Sequence, residues 1–454
     1  MKTLSAHSSP GRTRLRLEEW SQLRPGPTGN GKQLLGLSFA SEADRALAAE
    51  MTRAGVVIIT ELRAGLSVET KSFIGRIAVG PLDLTIVPKI SWERWLTLVT
   101  YALKLRGLVR ADRLDVHTDS TDLQDLVILE LVSEARDLLR RGLHREYVRR
   151  REMLSNPRGR IDFGRIARRG GVLEPAVPCK FTRRTDDSVI NQTLLAGLMF
   201  ASTRASNYGL RNDARRLANE LGSRVSLHPL SNEMLSDASE ALDRRTARYA
   251  AAIRLIELLR EGKAITLDDS SDSSAIELPG FALDMNRIWQ QLIARVLGEW
   301  SEAVDVREEF TLRKIFQSNP AYPLRRPVPR PRPDFAVFQN ATLLTFLDAK
   351  YRDLWERPLP REMLYQLALY AMAQGGGVTA ILYPSDSGAA VEQRVDIRDP
   401  LSDSIRAAIA LRPVNLNALE ALIDAPSTPN RTIARQQFSD SLISFQRNRV
   451  VRVN

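Results

Sequence analysis

Apolar and polar positions alternate in short runs near the start of the chain, shift to a helical period through the middle, and return to strand-like runs near residue 335. Val56 to Thr60, Leu66 to Thr70, Ile74 to Val79 and Leu82 to Val87 are predicted strands, with turns at Gly65, Gly75 and Gly80-Pro81. Trp92 to Leu105 and Leu123 to Leu143 repeat apolar residues near the helical period, and Asp119-Ser120-Thr121-Asp122 offers N-caps for the second. Asp186 to Ser206 and Asn232 to Gly262 supply further helices, while Arg158-Gly159-Arg160-Ile161-Asp162-Phe163 reads as a turn into a short strand. The Ser/Asp-rich stretch Asp268 to Ser274 is the clearest boundary. After it come a helix over Met285 to Trp300, strands at Phe335 to Phe338 and Thr342 to Leu347, a helix through Tyr365 to Tyr370, and a buried strand, Val378 to Tyr383.

The pattern predicts an α/β multidomain protein. Residues 1–35 read as a flexible N-terminus, 36–90 as a small β-rich domain, 91–267 as a mostly helical middle domain, 275–425 as an α/β domain, and 426–454 as a polar, mobile tail.

Composition narrows the class. Hydrophobic content of 43% and charged content of 26% are ordinary for a soluble globular protein, and 454 residues suffice for two or three domains with real cores. The net charge of +11 favours a polyanionic partner. Much of it gathers at Arg136, Arg140, Arg141, Arg145, Arg149, Arg150 and Arg151, which fits either a solvated helix face or a surface that tracks phosphates. The single cysteine, Cys179, excludes an internal disulfide and a cysteine-rich zinc site, and a reducing cytoplasm fits. The polar, basic start predicts no secretory signal, and no apolar run approaches the ~18 residues of a membrane span. His7, His117, His144 and His228 are scattered without ligand spacing.

Chemistry concentrates at Arg332-Pro333-Asp334-Phe335 and Leu347-Asp348-Ala349-Lys350. Asp348 and Lys350 are two apart on a strand and share a face. A hairpin with loop 339–341 pairs Phe338 with Thr342 and Asp334 with Phe346. Asp334 then lies diagonally beside Asp348, roughly 7–8 Å away or less. A two-residue loop breaks this parity unless a bulge restores it. Two carboxylates so placed repel each other, and a hard divalent cation such as Mg²⁺ relieves the repulsion while activating water against a phosphodiester. Lys350 would hold the attacking water or offset charge in the transition state, and the Ala349 carbonyl could add a ligand. The same residues also fit a surface hairpin ending in a solvated Asp–Lys pair. Downstream, Gln366 and Tyr370 are four apart on one helical face. Upstream, Arg325-Arg326-Pro327-Val328-Pro329-Arg330-Pro331-Arg332 is a basic, proline-rich lead-in, suited to phosphate contacts or to a stiff linker.

Gly26-Pro27-Thr28-Gly29-Asn30-Gly31-Lys32-Gln33 nearly matches a nucleotide-binding P-loop, but Gln33 replaces the Ser or Thr that holds Mg²⁺ and no apolar strand precedes it. A flexible loop is the better reading.

Taken together, Asp334, Asp348 and Lys350 resemble the signature of the PD-(D/E)xK nucleases, and Gln366 with Tyr370 matches the Q-x-x-x-Y helix of their RecB-like branch. From about Val68 to Tyr383 the chain resembles the McrC family, the nuclease subunits of McrBC-type modification-dependent restriction systems. The likeness runs through Ile74-Gly75-Arg76-Ile77, Ile86-Val87-Pro88-Lys89-Ile90, Arg141-Gly142-Leu143, Tyr147-Val148, Arg158 to Phe163, Thr185-Asp186, Asn191-Gln192-Thr193-Leu194 and Leu283-Asp284-Met285-Asn286. The resemblance implies a Mg²⁺-dependent DNA endonuclease subunit of an anti-phage defence complex. Asp334 and Asp348 would hold metal, Lys350 would be catalytic, and Gln366 and Tyr370 accessory. It also implies a partner, an McrB-like AAA+ GTPase forming a hexameric ring into which the N-terminal β domain inserts, and modified double-stranded DNA as substrate. One departure stands out. Such helices commonly carry a glutamate that completes the metal site, whereas here Trp289 is followed by Gln290 and Gln291; Glu299, Glu308 and Glu309 are the acids available instead. Two alternatives remain: a non-catalytic activator of a ring NTPase that binds DNA, and a stand-alone RecB-like repair nuclease.

Overall fold

The computed structural model describes residues 12–105, 123–168, 170, 175–262, 264–265, 276–277, 280–301, 304–322, 324–325, 328–375, 377–424 and 428–444. His7, His117, the cap candidates Asp119 to Asp122, the boundary stretch Asp268 to Ser274, and Arg326-Pro327 lie outside them. By compactness the chain divides into two units, residues 1–110 with 282–454, and residues 111–281.

The first unit begins with β1 (Thr13–Glu18), where Leu15 and Leu17 turn inward and Arg14, Arg16 and Glu18 outward, the period of two that a half-buried strand needs. There follow β2 (Gln22–Leu23), α1 (Glu42–Arg53), β3 (Val57–Leu62), β4 (Gly65–Thr70), β5 (Phe73–Val79), β6 (Leu82–Val87) and α2 (Trp92–Ala102). β1 pairs in parallel with β6, which pairs antiparallel with β5, and β4 pairs with β2 and β3 in a separate sheet. The expected flexible start is therefore structured from Thr13 onward. Its alternation covers only six residues, and its hydrogen-bonding partner lies far along the chain, so local pattern underweights it. Helix α1 adds to the β-rich reading of residues 36–90; Ser41 caps it by accepting from the Asp44 N–H at 3.1 Å, and Ala48 and Met51 pack inward. The P-loop look-alike forms a 3₁₀ turn over Gly29–Leu34, with no helix opening from it.

The second unit contains α3 (Leu123–Arg141), β7 (Glu146–Leu154), β8 (Arg160–Ile161), α4 (Phe163–Arg168), β9 (Val177–Thr185), α5 (Val189–Arg204), α6 (Tyr208–Gly222), α7 (Asn232–Glu240), α8 (Ala250–Glu261) and a short ladder of β10 (Ala264–Ile265) with β11 (Ile276–Glu277). Its core is helical, built on Ile128, Leu131, Ala135, Leu198, Leu217 and Ile256. Asn232 to Gly262 holds two helices, separated where Asp243 accepts from the backbone N–H groups of Arg245 and Thr246. One expectation is corrected. Arg149, Arg150 and Arg151 stand on the exposed strand β7, paired with β9, not on a helix face. The segment around Asp186 and Asn191 serves the fold: the Asn191 amide donates to the His144 and Asp186 carbonyls and accepts from the Tyr249 hydroxyl.

Back in the first unit come β12 (Gly280–Asp284), which joins the β1-β6-β5 sheet beside β5, then α9 (Met285–Trp300), β13 (Asp305–Glu308), β14 (Phe335–Gln339), β15 (Thr342–Ala349), α10 (Arg361–Ala373), β16 (Val378–Ser385), β17 (Gln393–Arg398), β18 (Ile405–Asn415), α11 (Leu416–Asp424) and α12 (Pro429–Ile443). The mixed sheet runs β13-β14-β15-β16-β18-β17, with β15, β16 and β18 parallel. Leu347, Ile381, Leu382 and Ile409 are fully buried, as strands covered on both faces require. The polar stretch expected as a mobile tail instead forms α12. Buried Arg412 donates to the Leu442 and Ser444 carbonyls at 2.6 and 3.0 Å, and Phe438 packs edge-on to Trp300. These few contacts, on an otherwise polar helix, anchor it. Arg94 of α2 donates to Glu420 at 2.8 Å and Asn417 at 2.6 Å, tying α2 to α11. Among the described residues, no helix is long and apolar enough to cross a membrane.

Candidate active site

The site grows out of the β14–β15 hairpin. Its loop is two residues, Asn340 and Ala341, both at positive φ (48° and 65°), the twist that matches a tight hairpin. Gln339 pairs with Thr342 and Phe338 with Leu343, but Val337 pairs with Thr345, leaving Leu344 as an extra residue. The three-residue loop is thus replaced by a shorter loop plus a bulge, and the bulge restores the parity. Past it, Phe335 pairs with Leu347, so the register carried one step further sets Asp334 opposite Asp348 rather than opposite Phe346. The Asp334 carboxylate accepts from the Ala349 N–H at 2.8 Å, which bridges the two strand ends.

Lys350 lies between the acids, its ammonium 3.2 Å from Asp348 and 3.6 Å from Asp334. Asp348 is only 1% exposed, and neither of its oxygens accepts a hydrogen bond of proper geometry. A buried carboxylate with unmet lone pairs is costly. Burial, reinforced by the neighbouring Asp348 charge, raises Asp334 above the usual carboxylate range. Burial acts to lower Lys350, but Asp348 and Asp334 together outweigh it and hold the ammonium above its usual range. The site is therefore two crowded anions balanced by one cation. Its unmet oxygens and charge excess fit a hard divalent ion, which Asp334 and Asp348 could hold. Among the described residues, no group of three His, Cys, Asp or Glu side chains gathers around such an ion.

Helix α10 brings the other two expected residues to this end of the sheet. Gln366 donates to the Tyr370 hydroxyl at 2.8 Å, as their spacing predicts. Tyr370 is buried against Phe346 at 6.2 Å, within a cluster that includes Leu367, Ile381 and Leu411. Burial raises the Tyr370 phenol, and the Asp348 and Asp334 charges add to the shift, so it feels the site.

Helix α9 supplies residues that sequence reasoning missed. Asp284 caps it, accepting from the Asn286 N–H at 2.9 Å and from Ser72 at 3.2 Å; burial raises its carboxyl, while Arg287 and Lys350 pull it back down. The Asn286 side chain accepts from the Tyr351 N–H at 3.1 Å, and the Trp289 indole donates to the Leu382 carbonyl, which also accepts from the Lys350 N–H. These bonds fix the helix to the strand end that carries Lys350. In the sequence Asp284 is marked as an acid just before an apolar helix, and it lies in the Leu283-Asp284-Met285-Asn286 likeness, but neither assigns it a role. Of the substitute acids, Glu299 is about 20 Å along the helix from Asn286 and is engaged by Arg295 and Tyr101. Glu309 pairs with Arg332 at 3.3 Å, and Glu308 is exposed on β13. The backbone holds Glu309 beside the site, its N–H donating to the Asp334 carbonyl at 2.8 Å, but its carboxylate is the one engaged by Arg332. Gln290 follows Asn286 by one turn and is half-buried.

The family model described as "McrBC 5-methylcytosine restriction system component" matches residues 68–384. No curated protein matches. Among solved structures, a chain of the "refined half-complex from tetradecameric assembly of Thermococcus gammatolerans McrB AAA+ hexamers with bound McrC" is similar, with a TM-score of 0.55 and 18% identity, over 95% of this chain and 100% of that one. A chain of the cryo-EM structure of the Thermococcus gammatolerans McrBC complex aligns over 63% of this chain and 88% of that one, at 19% identity and a TM-score of 0.45.

Proposed function

Since the chain belongs to the McrBC 5-methylcytosine restriction system component family, we propose that it is the DNA-cutting subunit of a modification-dependent restriction complex. In this reading it is a Mg²⁺-dependent endonuclease of the PD-(D/E)xK type that hydrolyses phosphodiesters in modified double-stranded DNA. It works with, and stimulates, an AAA+ GTPase ring of the McrB kind; the similar fold of a chain from McrB hexamers with bound McrC supports that partnership. The observation that carries the nuclease reading is the pairing of Asp334 with Asp348, its oxygens buried and unmet, around the single ammonium of Lys350.

Asp334 and Asp348 are the residues that would hold the ion, which when bound lowers the pKa of a water nucleophile and offsets charge on the scissile phosphate. Lys350 stays charged between them, and its ammonium can turn to a non-bridging phosphate oxygen or orient the attacking water. The Ala349 N–H fixes the Asp334 carboxylate, so the acids meet substrate preorganised. Gln366 is exposed and anchored on Tyr370, which leaves its amide oxygen free to meet the DNA from α10.

A second reading, a non-catalytic activator of the ring, is favoured by one observation: no third acidic side chain joins Asp334 and Asp348 among the described residues. One variant separates the two. Asp348→Ala is expected to abolish cutting of modified DNA while the partner's GTP hydrolysis remains stimulated. A wild-type protein that stimulates the partner and never cuts would establish the activator instead.

A further inference from the structure

Beyond Lys350 the chain turns tightly, with the Arg352 N–H donating to the Lys350 carbonyl at 2.9 Å. The two Cα atoms are therefore ~7 Å apart at most. This turn meets the N-terminal segment of the same compact unit. The Arg352 guanidinium lies 5.4 Å from the centre of the Trp20 ring, and that of Arg357 lies 6.0 Å from it. Arg357 also donates to the Trp20 carbonyl at 2.7 Å. Next along the chain from Trp20, buried Glu19 accepts from the Tyr351 hydroxyl at 3.0 Å, which locks the two segments together.

The charges of this cluster are unbalanced. Other half-buried arginines of the same unit carry carboxylates: Arg94 has Glu420, and Arg412 has Glu392. Among the described residues, neither Arg352 nor Arg357 is ion-paired with any carboxylate. Two guanidinium groups sharing one ring repel each other, and burial and the Arg357 charge together lower Arg352. The Trp20 indole N–H and the Arg352 Nε–H are both buried with no acceptor. Trp20 is also held at φ 56°, a left-handed conformation that a bulky side chain adopts only at a cost. Unmet donors and unpaired cations on a strained, fixed platform call for an anion. Planar guanidinium forks suit phosphate oxygens in particular.

We propose that Trp20, Arg352 and Arg357 form a phosphate subsite that grips the DNA backbone beside the phosphodiester being cut. This rests on the nuclease reading, because the anion is taken to be the polymer whose cleavage Asp334, Asp348 and Lys350 perform. A contact to the phosphate positions the strand and carries no sequence information.

The test is binding, not cutting. Full-length protein is titrated, in EDTA, against a short fluorescent duplex carrying 5-methylcytosine, with KCl from about 50 to 200 mM. Arg352→Gln, which breaks no side-chain hydrogen bond, should weaken binding about tenfold and flatten the slope of log affinity against log salt by about 0.9. Arg357→Gln should do the same, and Arg352→Lys should keep most of the slope. An unchanged slope in both glutamine variants, with wild-type protein binding normally, overturns the subsite. So does a loss of GTPase stimulation without a change of slope, which would assign the cluster to an acidic surface of the partner protein. Absence of DNA binding by the wild-type protein, alone and with the partner, sinks the subsite as well. The nuclease reading fails separately, if wild-type protein with Mg²⁺, partner and GTP leaves modified DNA intact while the slope change persists.

Discussion

Glu19 is an anion that the fold would rather protonate, and Glu19→Gln should make the protein more stable at alkaline pH. The side chain is 1% exposed. One oxygen accepts from the Lys89 N–H and the Tyr351 hydroxyl, both at 3.0 Å, while the other is buried without a partner. Burial outweighs those two hydrogen bonds and raises the carboxyl from 4.5 to about 7. The folded state therefore binds this proton more tightly than the unfolded one. The stability that goes with it is complete below the unfolded value, 4.5, and is lost as pH rises through about 7. At 1.36 kcal/mol per unit, the loss is on the order of 3 kcal/mol. Glutamine keeps the carbonyl acceptor and removes the titration. The stability difference between variant and wild type should grow by that amount between pH 4.5 and 8, then stay level. With ~2 cal/mol/K of unfolding entropy per residue over the larger unit, this is roughly 5 °C in Tm. Differential scanning calorimetry at a series of pH values reads it. A difference in Tm that is constant across the range would refute the reasoning.

Phe346→Ala should cost about 3–5 kcal/mol, because this 2% exposed ring packs on Phe310 and Tyr370 beneath the candidate site; urea unfolding measures it, and a loss under about 1 kcal/mol would mean the cluster can collapse into the space. Gly65→Ala should cost about 2–3 kcal/mol, since Gly65 sits at φ 143° and an added Cβ would meet the Leu34 carbonyl oxygen at 2.0 Å. An unchanged urea midpoint would show that the Leu34 turn gives way freely.

The parts of this molecule that the sequence reveals are those whose causes are local. The helix over Met285 to Trp300 and the strand over Leu82 to Val87 follow from uninterrupted periods, and the structure has both at the same limits. Asp348 and Lys350 share a face because two positions on a strand must, and Gln366 meets Tyr370 because four positions on a helix must. What was not legible depends on distant partners. Strand β1 exists because β6 pairs with it, and α12 docks because buried Arg412 donates to the carbonyls at its C-terminal end. The Val337/Phe338 bulge has no sequence mark, yet it decides whether Asp334 faces Asp348. The roles of Glu19 and Trp20 are set by Tyr351, Arg352 and Arg357, more than three hundred positions away.

We propose that Asp334, Asp348 and Lys350 cut DNA in a partner-dependent complex. The most direct measurement is plasmid cleavage by purified protein with Mg²⁺, with and without the McrB-like AAA+ protein and GTP, on methylated and unmethylated DNA, with Lys350→Ala as control. Cutting is expected only when partner, GTP and methylated DNA are all present, with a loss of at least ~100-fold in Lys350→Ala. Cutting by the protein alone, or full activity in Lys350→Ala, would contradict it.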